Sequence, residues 1–381
     1  MYLFAADTIG TAQAALEAGR LAEARVLLEA SPGDGRAQAL LARLYFMLNQ
    51  PQRAASAAQQ AARLAPAMPA VQHTLALYFA QSGQRKLAAL WEGRYAVAKE
   101  ADGAAGLRAA LLFAEVRQWP EAIAFGTAAL GREDRADLRL MLARGFEATG
   151  KPDAAVEQYR ALLALLPYDE PTYAAYGQAL LRMARFNEAA EFLAQARNKF
   201  DKSPQIELAY GVALYTQRRF TEAAERFFRV IELTPEVPQP YIFLARMIDQ
   251  LPERVAEIRA RAEEWLQMEP SNGFAPFVVA RARHAAGAAD SEVKPMLVEA
   301  MRRDQKVWDF PFELGQLLER ERDFAGAVQA YEKAILLNAQ APETHYRLAR
   351  VYDRLGQTLK AARERQMHEK LLASPKKGGM Q

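Results

Sequence analysis

The feature that most constrains this chain is a small residue that returns every 33 or 34 positions. It is always alanine or glycine, and the series runs through Ala42, Ala76, Ala110, Ala143, Gly177, Gly211 and Ala245 and resumes at Gly315 and Ala349. A second alanine series with the same spacing runs through Ala54, Ala88, Ala122, Ala155, Ala189 and Ala223 and resumes at Ala327 and Ala361. A fixed period of this size is the sequence signature of a repeat architecture.

Residues 136–170 indicate what one repeat contains. Ala143 and Phe146 share the apolar face of a first helix. Gly150 can end that helix in the left-handed conformation, and Pro152 suits the first turn of a second helix. The stretch therefore predicts a helix–turn–helix hairpin. One hairpin cannot bury its own apolar face, so neighbouring hairpins must cover it.

The same residues resemble the tetratricopeptide repeat (TPR) family, whose unit is a helix–turn–helix of about 34 residues. The residues that carry the resemblance most fully are Leu142, Ala143, Phe146, Gly150, Ala155, Tyr159 and Pro167. The resemblance implies an all-α fold, a right-handed superhelical solenoid of about eleven helix–turn–helix repeats. Such a solenoid grows by addition of units and has no single central core.

The period also predicts the organisation of the chain. We expect one solenoid over residues 1–374 and a disordered tail at 375–381. Asn49 and Arg117 stand where other repeats have the turn glycine, and asparagine also tolerates the left-handed conformation. The regular units are predicted at 36–88, 136–236 and 308–374, and the irregular ones at 89–135 and 250–307.

Composition and motifs argue against catalysis. The chain has no cysteine, which excludes disulfides and thiol chemistry, and none of its four histidines lies in an HExxH motif. It also lacks a phosphate-binding P-loop, a GxGxxG fingerprint and a GxSxG elbow. We therefore expect a protein that is not an enzyme and that uses neither a cofactor nor a metal.

The charge and hydropathy of the chain restrict its partners. Its net charge is +3 with 25% charged residues, a mild balance that does not indicate a dedicated nucleic-acid binder. No run of 18 apolar residues is present, so we expect no membrane insertion. The expected partner is a protein or a peptide.

The resemblance implies that the first helix of each repeat lines a concave groove. Arginines there are suited to bind carboxylates in bidentate fashion, and aromatic side chains to act as buried anchors. The residues predicted to line the groove are Arg43, Arg144, Gln178, Tyr215, Arg246, Phe312, Gln316, Tyr346, Arg347 and Arg350.

By this resemblance the chain is expected to be a non-enzymatic adaptor or scaffold that binds a peptide or protein segment in the groove. Two alternatives stay open: a structural subunit of a bacterial envelope assembly or secretion complex, and the regulatory TPR part of a larger enzyme system. The composition suggests a bacterial origin. The apolar opening MYLFAAD fits either a trimmed signal sequence or packing on the first helix, so a cytoplasmic and a periplasmic location both stay open. Partner, pathway and oligomeric state are not specified by the sequence.

Overall fold

The computed structural model describes residues 2–99 and 103–373, with side chains from Thr8 onward. Within these ranges the chain forms 22 α-helices and two short 3₁₀ helices, and no strand. The predicted tail at 375–381 lies outside the described residues. The all-α repeat fold expected from the sequence is confirmed, with eleven successive helix pairs in the described part of the chain.

The chain divides into two compact units, Met1–Thr172 and Tyr173–Gln381. Helix α11 (Glu170–Arg182) begins in the first unit and continues into the second. The other helices of the first unit are α1 (Tyr2–Glu17), α2 (Leu21–Glu29), α3 (Gly35–Met47), α4 (Pro51–Leu64), α5 (Pro69–Gln81), α6 (Arg85–Ala98), α7 (Gly103–Glu115), α8 (Trp119–Leu130), α9 (Ala136–Ala148) and α10 (Pro152–Leu165). Those of the second are α12 (Phe186–Lys199), α13 (Pro204–Thr216), α14 (Phe220–Leu233), α15 (Pro238–Met247), α16 (Val255–Met268), α17 (Phe274–Ala285), α18 (Asp290–Arg303), α19 (Asp309–Arg320), α20 (Phe324–Leu337), α21 (Pro342–Arg354) and α22 (Thr358–Ala373).

Within each unit the helices stack in chain order. An odd-numbered helix, which we call a first helix, packs on the even-numbered second helix that follows, and the second helix packs on the next first helix. Successive first helices also touch, as in α3 with α5 and α15 with α17. No two successive second helices make comparable contact in the described residues. We call the side of each unit formed by the first helices the first-helix face.

The turn inside each hairpin is built on a left-handed residue. Gly150 has φ 70°, and the amide of Lys151 donates a hydrogen bond to the carbonyl of Phe146 at 2.9 Å. Asn49 has φ 57° and Arg117 φ 59°, so both occupy the glycine position of the regular turn. The full set in the described residues is Gly19, Asn49, Gly83, Arg117, Gly150, Ala184, Arg218, Gly287, Arg322 and Gly356. The turn between α15 and α16 differs, because two 3₁₀ helices, Ile248–Gln250 and Pro252–Arg254, replace it.

Changing Ala184 to glycine is expected to stabilise the protein by about 0.5–1 kcal/mol. Ala184 has φ 58°, where a Cβ atom is disfavoured and glycine is not. Urea denaturation followed by circular dichroism at 222 nm measures the change. The matched control is Ala124→Gly on the exposed side of α8, which should destabilise by about 1 kcal/mol because its backbone is helical. A loss of stability in Ala184→Gly would contradict the assigned turn.

The irregular repeats at 89–135 lack a large core residue. In four other repeats, the residue four positions after the alanine of the second helix is large and buried, namely Tyr159, Leu193, Phe227 and Tyr331. Ala58 and Arg365 hold this position in α4 and α22. Glu92 and Gly126 occupy this position in α6 and α8. Glu92 is buried and is held by His73 at 3.0 Å and Arg108 at 2.7 Å. A Cβ atom on Gly126 would lie 2.5 Å from Met141 Cε, so Met141 fills the space instead.

Candidate protein-binding face

The left-handed turn residues fix the register of the first-helix face. The residue six positions before each of them occupies an equivalent place on its first helix, as Arg144 does before Gly150. Counting back from Gly287 places Arg281 in the same series. The series reads Gln13, Arg43, Leu77, Leu111, Arg144, Gln178, Val212, Arg281, Gln316 and Arg350. Arg246 follows Ala245 as Arg144 follows Ala143. The sequence prediction missed Arg281, although counting back from Gly287 was the signal that could have found it.

In the first unit neither arginine of this series has a carboxylate within 4.0 Å among the described residues, although the charge of Glu17 acts on Arg43. Arg43, on α3, is half-buried, and its Nε atom is buried with no hydrogen-bond partner among the described residues. This burial lowers the pKa of Arg43. Arg144, on α9, is exposed and forms no hydrogen bond or ion pair with any described residue. Leu77 is half-buried and Leu111 is exposed at the positions between them. This part of the face is therefore positive at both ends and apolar between.

In the second unit Arg246 already holds a carboxylate. Its Nη2 atom lies 3.0 Å from Asp309 Oδ2, and its Nε donates to Asp309 Oδ1 at 3.3 Å. Asp309 begins α19, so this bidentate pair joins α15 to a helix two repeats further along. Arg246 is thus neutralised within the chain.

Arg281 is a buried cation in the second unit, paired with the half-buried Glu313 and the exposed Asp249. Its side chain is only 12% exposed and reaches Asp249 at 2.9 Å and Glu313 at 3.2 Å. Burial opposes its charge, but Glu313 and Asp249 together raise the pKa of Arg281. Burial also raises the pKa of Glu313, against the opposing effect of Arg281. Opposite charges are worth more in such a water-poor place than at the surface.

Glu319 pairs with the two remaining arginines of the predicted groove. Arg347 and Arg350 approach it from α21, each at 3.5 Å, and the hydroxyl of Tyr331 donates to it at 3.1 Å. Tyr346 is exposed beside them, with the guanidinium of Arg350 5.9 Å from its ring centre.

The other predicted groove residues are partly engaged with their neighbours. Tyr215 packs its ring against Phe220 and Phe243, and Phe312 lies between Trp308 and Tyr331. Their side chains are only half-exposed. The two glutamines differ, because Gln178 is exposed and Gln316 is half-buried.

The structure thus separates the predicted arginines into two groups. Those of the second unit lie within 4.0 Å of a carboxylate of their own unit, whereas Arg43 and Arg144 do not. No group of three or more histidine, aspartate or glutamate side chains in the described residues could hold a metal ion. No described helix is long and apolar enough to cross a membrane.

Comparison with known proteins extends these observations. Two family models, both described as tetratricopeptide repeat, match the chain, one at residues 136–179 and the other at 175–238 and 312–364. Neither description names a catalytic activity. No curated protein matches the chain.

Among solved structures, a chain of the Naa15/Naa10 complex bound to HypK-THB matches with a TM-score of 0.56 and 14% identity, over 96% of this chain and 63% of that one. The present chain thus spans less than two thirds of that relative's length, and the likeness concerns the fold alone. Yeast Tom70 matches with a TM-score of 0.49 and 14% identity, over 97% of this chain and 92% of its own. YrrB, described as a TPR protein with an unusual peptide-binding site, matches with a TM-score of 0.39 and 15% identity, over 48% of this chain and 95% of its own.

Proposed function

Because this chain belongs to the tetratricopeptide repeat family, we propose that it is a protein-interaction adaptor that binds an extended acidic segment. The binding surface is the first-helix face of α3, α5, α7 and α9. The observation that carries the proposal is the contrast between units: the face arginines of the second unit are paired internally, while Arg43 and Arg144 have no carboxylate within 4.0 Å among the described residues.

The half-buried Arg43 supports an acidic ligand. A guanidinium with a buried Nε and no partner leaves a donor unsatisfied, which costs free energy. A carboxylate from a bound segment that reaches the exposed part of the Arg43 side chain would bring a counter-charge to this half-buried cation, and charge-assisted bonds of this kind are stronger than neutral ones. Arg144 offers the same chemistry with its guanidinium in water.

The spacing supports an extended segment with an apolar middle. Leu77 and Leu111 occupy the two repeats between the arginines in the same series. A segment that follows the series therefore meets positive charge, apolar surface and positive charge in order. We expect a ligand with carboxylates near both ends and apolar side chains between them.

Selection of random linear peptides displayed on phage against the full chain tests the proposal. Enriched peptides should contain aspartate or glutamate on both sides of apolar residues. Arg144→Glu and Arg43→Glu should each weaken a selected peptide about tenfold or more in fluorescence anisotropy, because each removes a charge-assisted bond and adds repulsion. Binding should also weaken as salt rises.

The matched controls are Arg160→Glu on α10 and Arg63→Glu on α4. Each lies on the second helix of the same repeat as one test residue, is exposed, and has no ion-pair partner in the described chain. They carry the same change in net charge and should alter the dissociation constant less than twofold. Equal weakening by test and control variants, or enriched peptides without acidic residues, would exclude the proposed face.

A further inference from the structure

We propose that a second docking surface lies on the second helices of the first unit, in the groove between α6 and α8, and that it receives an acidic amphipathic helix of a protein partner. This surface is separate from the first-helix face, and the inference does not rest on peptide binding there.

The groove has an apolar floor and an apolar wall. The rings of Phe113 and Phe125 stack in its floor with centroids 5.6 Å apart and planes 4° apart. Gly93 keeps the floor open, since a Cβ atom there would lie 2.9 Å from Phe113 Cε2. Leu90 and Val97 form the α6 wall and are 43% and 70% exposed. The groove encloses about 470 Å³.

The groove has a cause in the sequence of these two repeats. Helices α6 and α8 both pack on α7, and the rings of Phe113 on α7 and Phe125 on α8 line the space between them. At Gly93 helix α6 has no side chain to place over these rings.

The charge of the surrounding surface identifies the kind of partner. Residues 36–99 contain eight lysines and arginines but a single acidic residue, Glu92, whose buried carboxylate is already held by His73 and Arg108. The net charge of the whole chain, +3, does not indicate how basic this segment is. The exposed Lys86 and Arg94 on α6, and Lys99 directly after it, have no carboxylate partner among the described residues. Helix α8, on the other side of the groove, carries a single charged side chain, the exposed Glu121. A partner that complements the α6 side of the groove must therefore be acidic there.

The shape of the surface favours a helix over other acidic partners. Leu90, Arg94 and Val97 lie at the i, i+4 and i+7 positions of α6 and so share one face of that helix. They give the groove a straight wall, and an amphipathic helix laid alongside it could bury its apolar face. Helix α6 has 14 residues, so the wall that it forms is about 21 Å long. The stacked rings lie below the wall, where a flat bilayer does not reach, and the apolar floor offers no hydrogen bonds to nucleic acid.

The test selects ligands for the full chain from a phage library of 16-residue amphipathic helices. The apolar stripe is kept, and the flanking positions vary among glutamate, glutamine and lysine. Glutamate should be enriched on the flank that faces α6. Val97→Asp should weaken the selected helix at least tenfold in fluorescence anisotropy, since it places a carboxylate on the wall. Val26→Asp on α2, where the side chain is 71% exposed, is the matched control and should change binding less than twofold.

Two further measurements make the outcome decisive. Arg144→Glu should leave binding of the helix unchanged, which separates this surface from the first-helix face. The full chain is also tested with vesicles of phosphatidylcholine and phosphatidylserine and with a random 20-nucleotide RNA. The proposal would be overturned if no helix were selected and if the chain bound the vesicles or the RNA in a way that Val97→Asp abolished. Lysine enrichment, or equal losses in Val97→Asp and Val26→Asp, would do so too.

Discussion

Replacing Arg281 with glutamine is expected to lower the free energy of unfolding by about 3–5 kcal/mol, the usual cost of removing one partner from a buried ion cluster. The arginine is 12% exposed and holds both Asp249 and Glu313. Its loss leaves these carboxylates close to Asp309 without their shared cation. Urea denaturation at pH 7.5 followed by circular dichroism measures the change. The exposed and unpaired Arg259 on α16 provides the matched control Arg259→Gln, with an expected change below about 0.5 kcal/mol.

The cost of Arg281→Gln should shrink as pH falls. Burial already raises the pKa of Glu313, and Arg281 opposes that rise. Without Arg281 the pKa of Glu313 rises further above its unfolded value. A carboxyl group of this kind binds its proton more readily in the folded chain, so lower pH favours the folded state of the variant. The difference from the parent protein should be largest at pH 7.5 and smaller at pH 5. Adding Glu313→Gln should recover part of the loss at pH 7.5, and a cost that does not vary with pH would contradict this explanation.

Replacing Phe227 with alanine is also expected to cost about 3–5 kcal/mol, because it leaves a cavity in the core of the second unit. Phe227 is fully buried, and its ring stacks on Phe243 with centroids 5.0 Å apart. It also fills the space beside Gly211, where a Cβ atom would lie 2.7 Å from the ring. Hydrogen exchange should show the largest loss of protection in α13 and α14, since repeats are stabilised mainly by their nearest neighbours.

The control for the cavity is Leu336→Ala on α20. Leu336 is 85% exposed, so truncating it removes little buried surface and should change stability by less than about 0.5 kcal/mol. Similar losses in both variants, or protection lost evenly over all helices, would mean that Phe227 does not act as a local core residue.

Much of the fold could be predicted because each repeat has alanine or glycine at the same positions. Gly211 can be assigned from the period alone, and the structure shows why it must be small: Phe227 occupies the space beside it. Arg117 was harder, because arginine is not a typical left-handed residue, and only its position in the period placed it in the turn. The 3₁₀ helices at 248–254 could not be predicted, since no periodic residue marks them.

The sequence predicted on which helices the arginines of the candidate site lie, but not which of them are paired with a carboxylate. The period placed Arg144 and Arg246 at equivalent points on first helices. Arg246 is paired with Asp309, whereas Arg144 has no carboxylate partner among the described residues. The partner of Arg246 is Asp309, 63 residues further along the chain. No local pattern joins two residues so far apart. The same holds for Arg281 and Glu313, which are 32 residues apart.

The sequence alone thus determined the period, the helix pairs and the face on which each arginine of the series lies, because these depend on local spacing and on the size of single residues. Only the tertiary structure decided which arginines remain available to a partner and where the second helices leave an apolar groove. Charge pairing and packing depend on distances between side chains of different repeats, and those distances exist only once the helices are stacked.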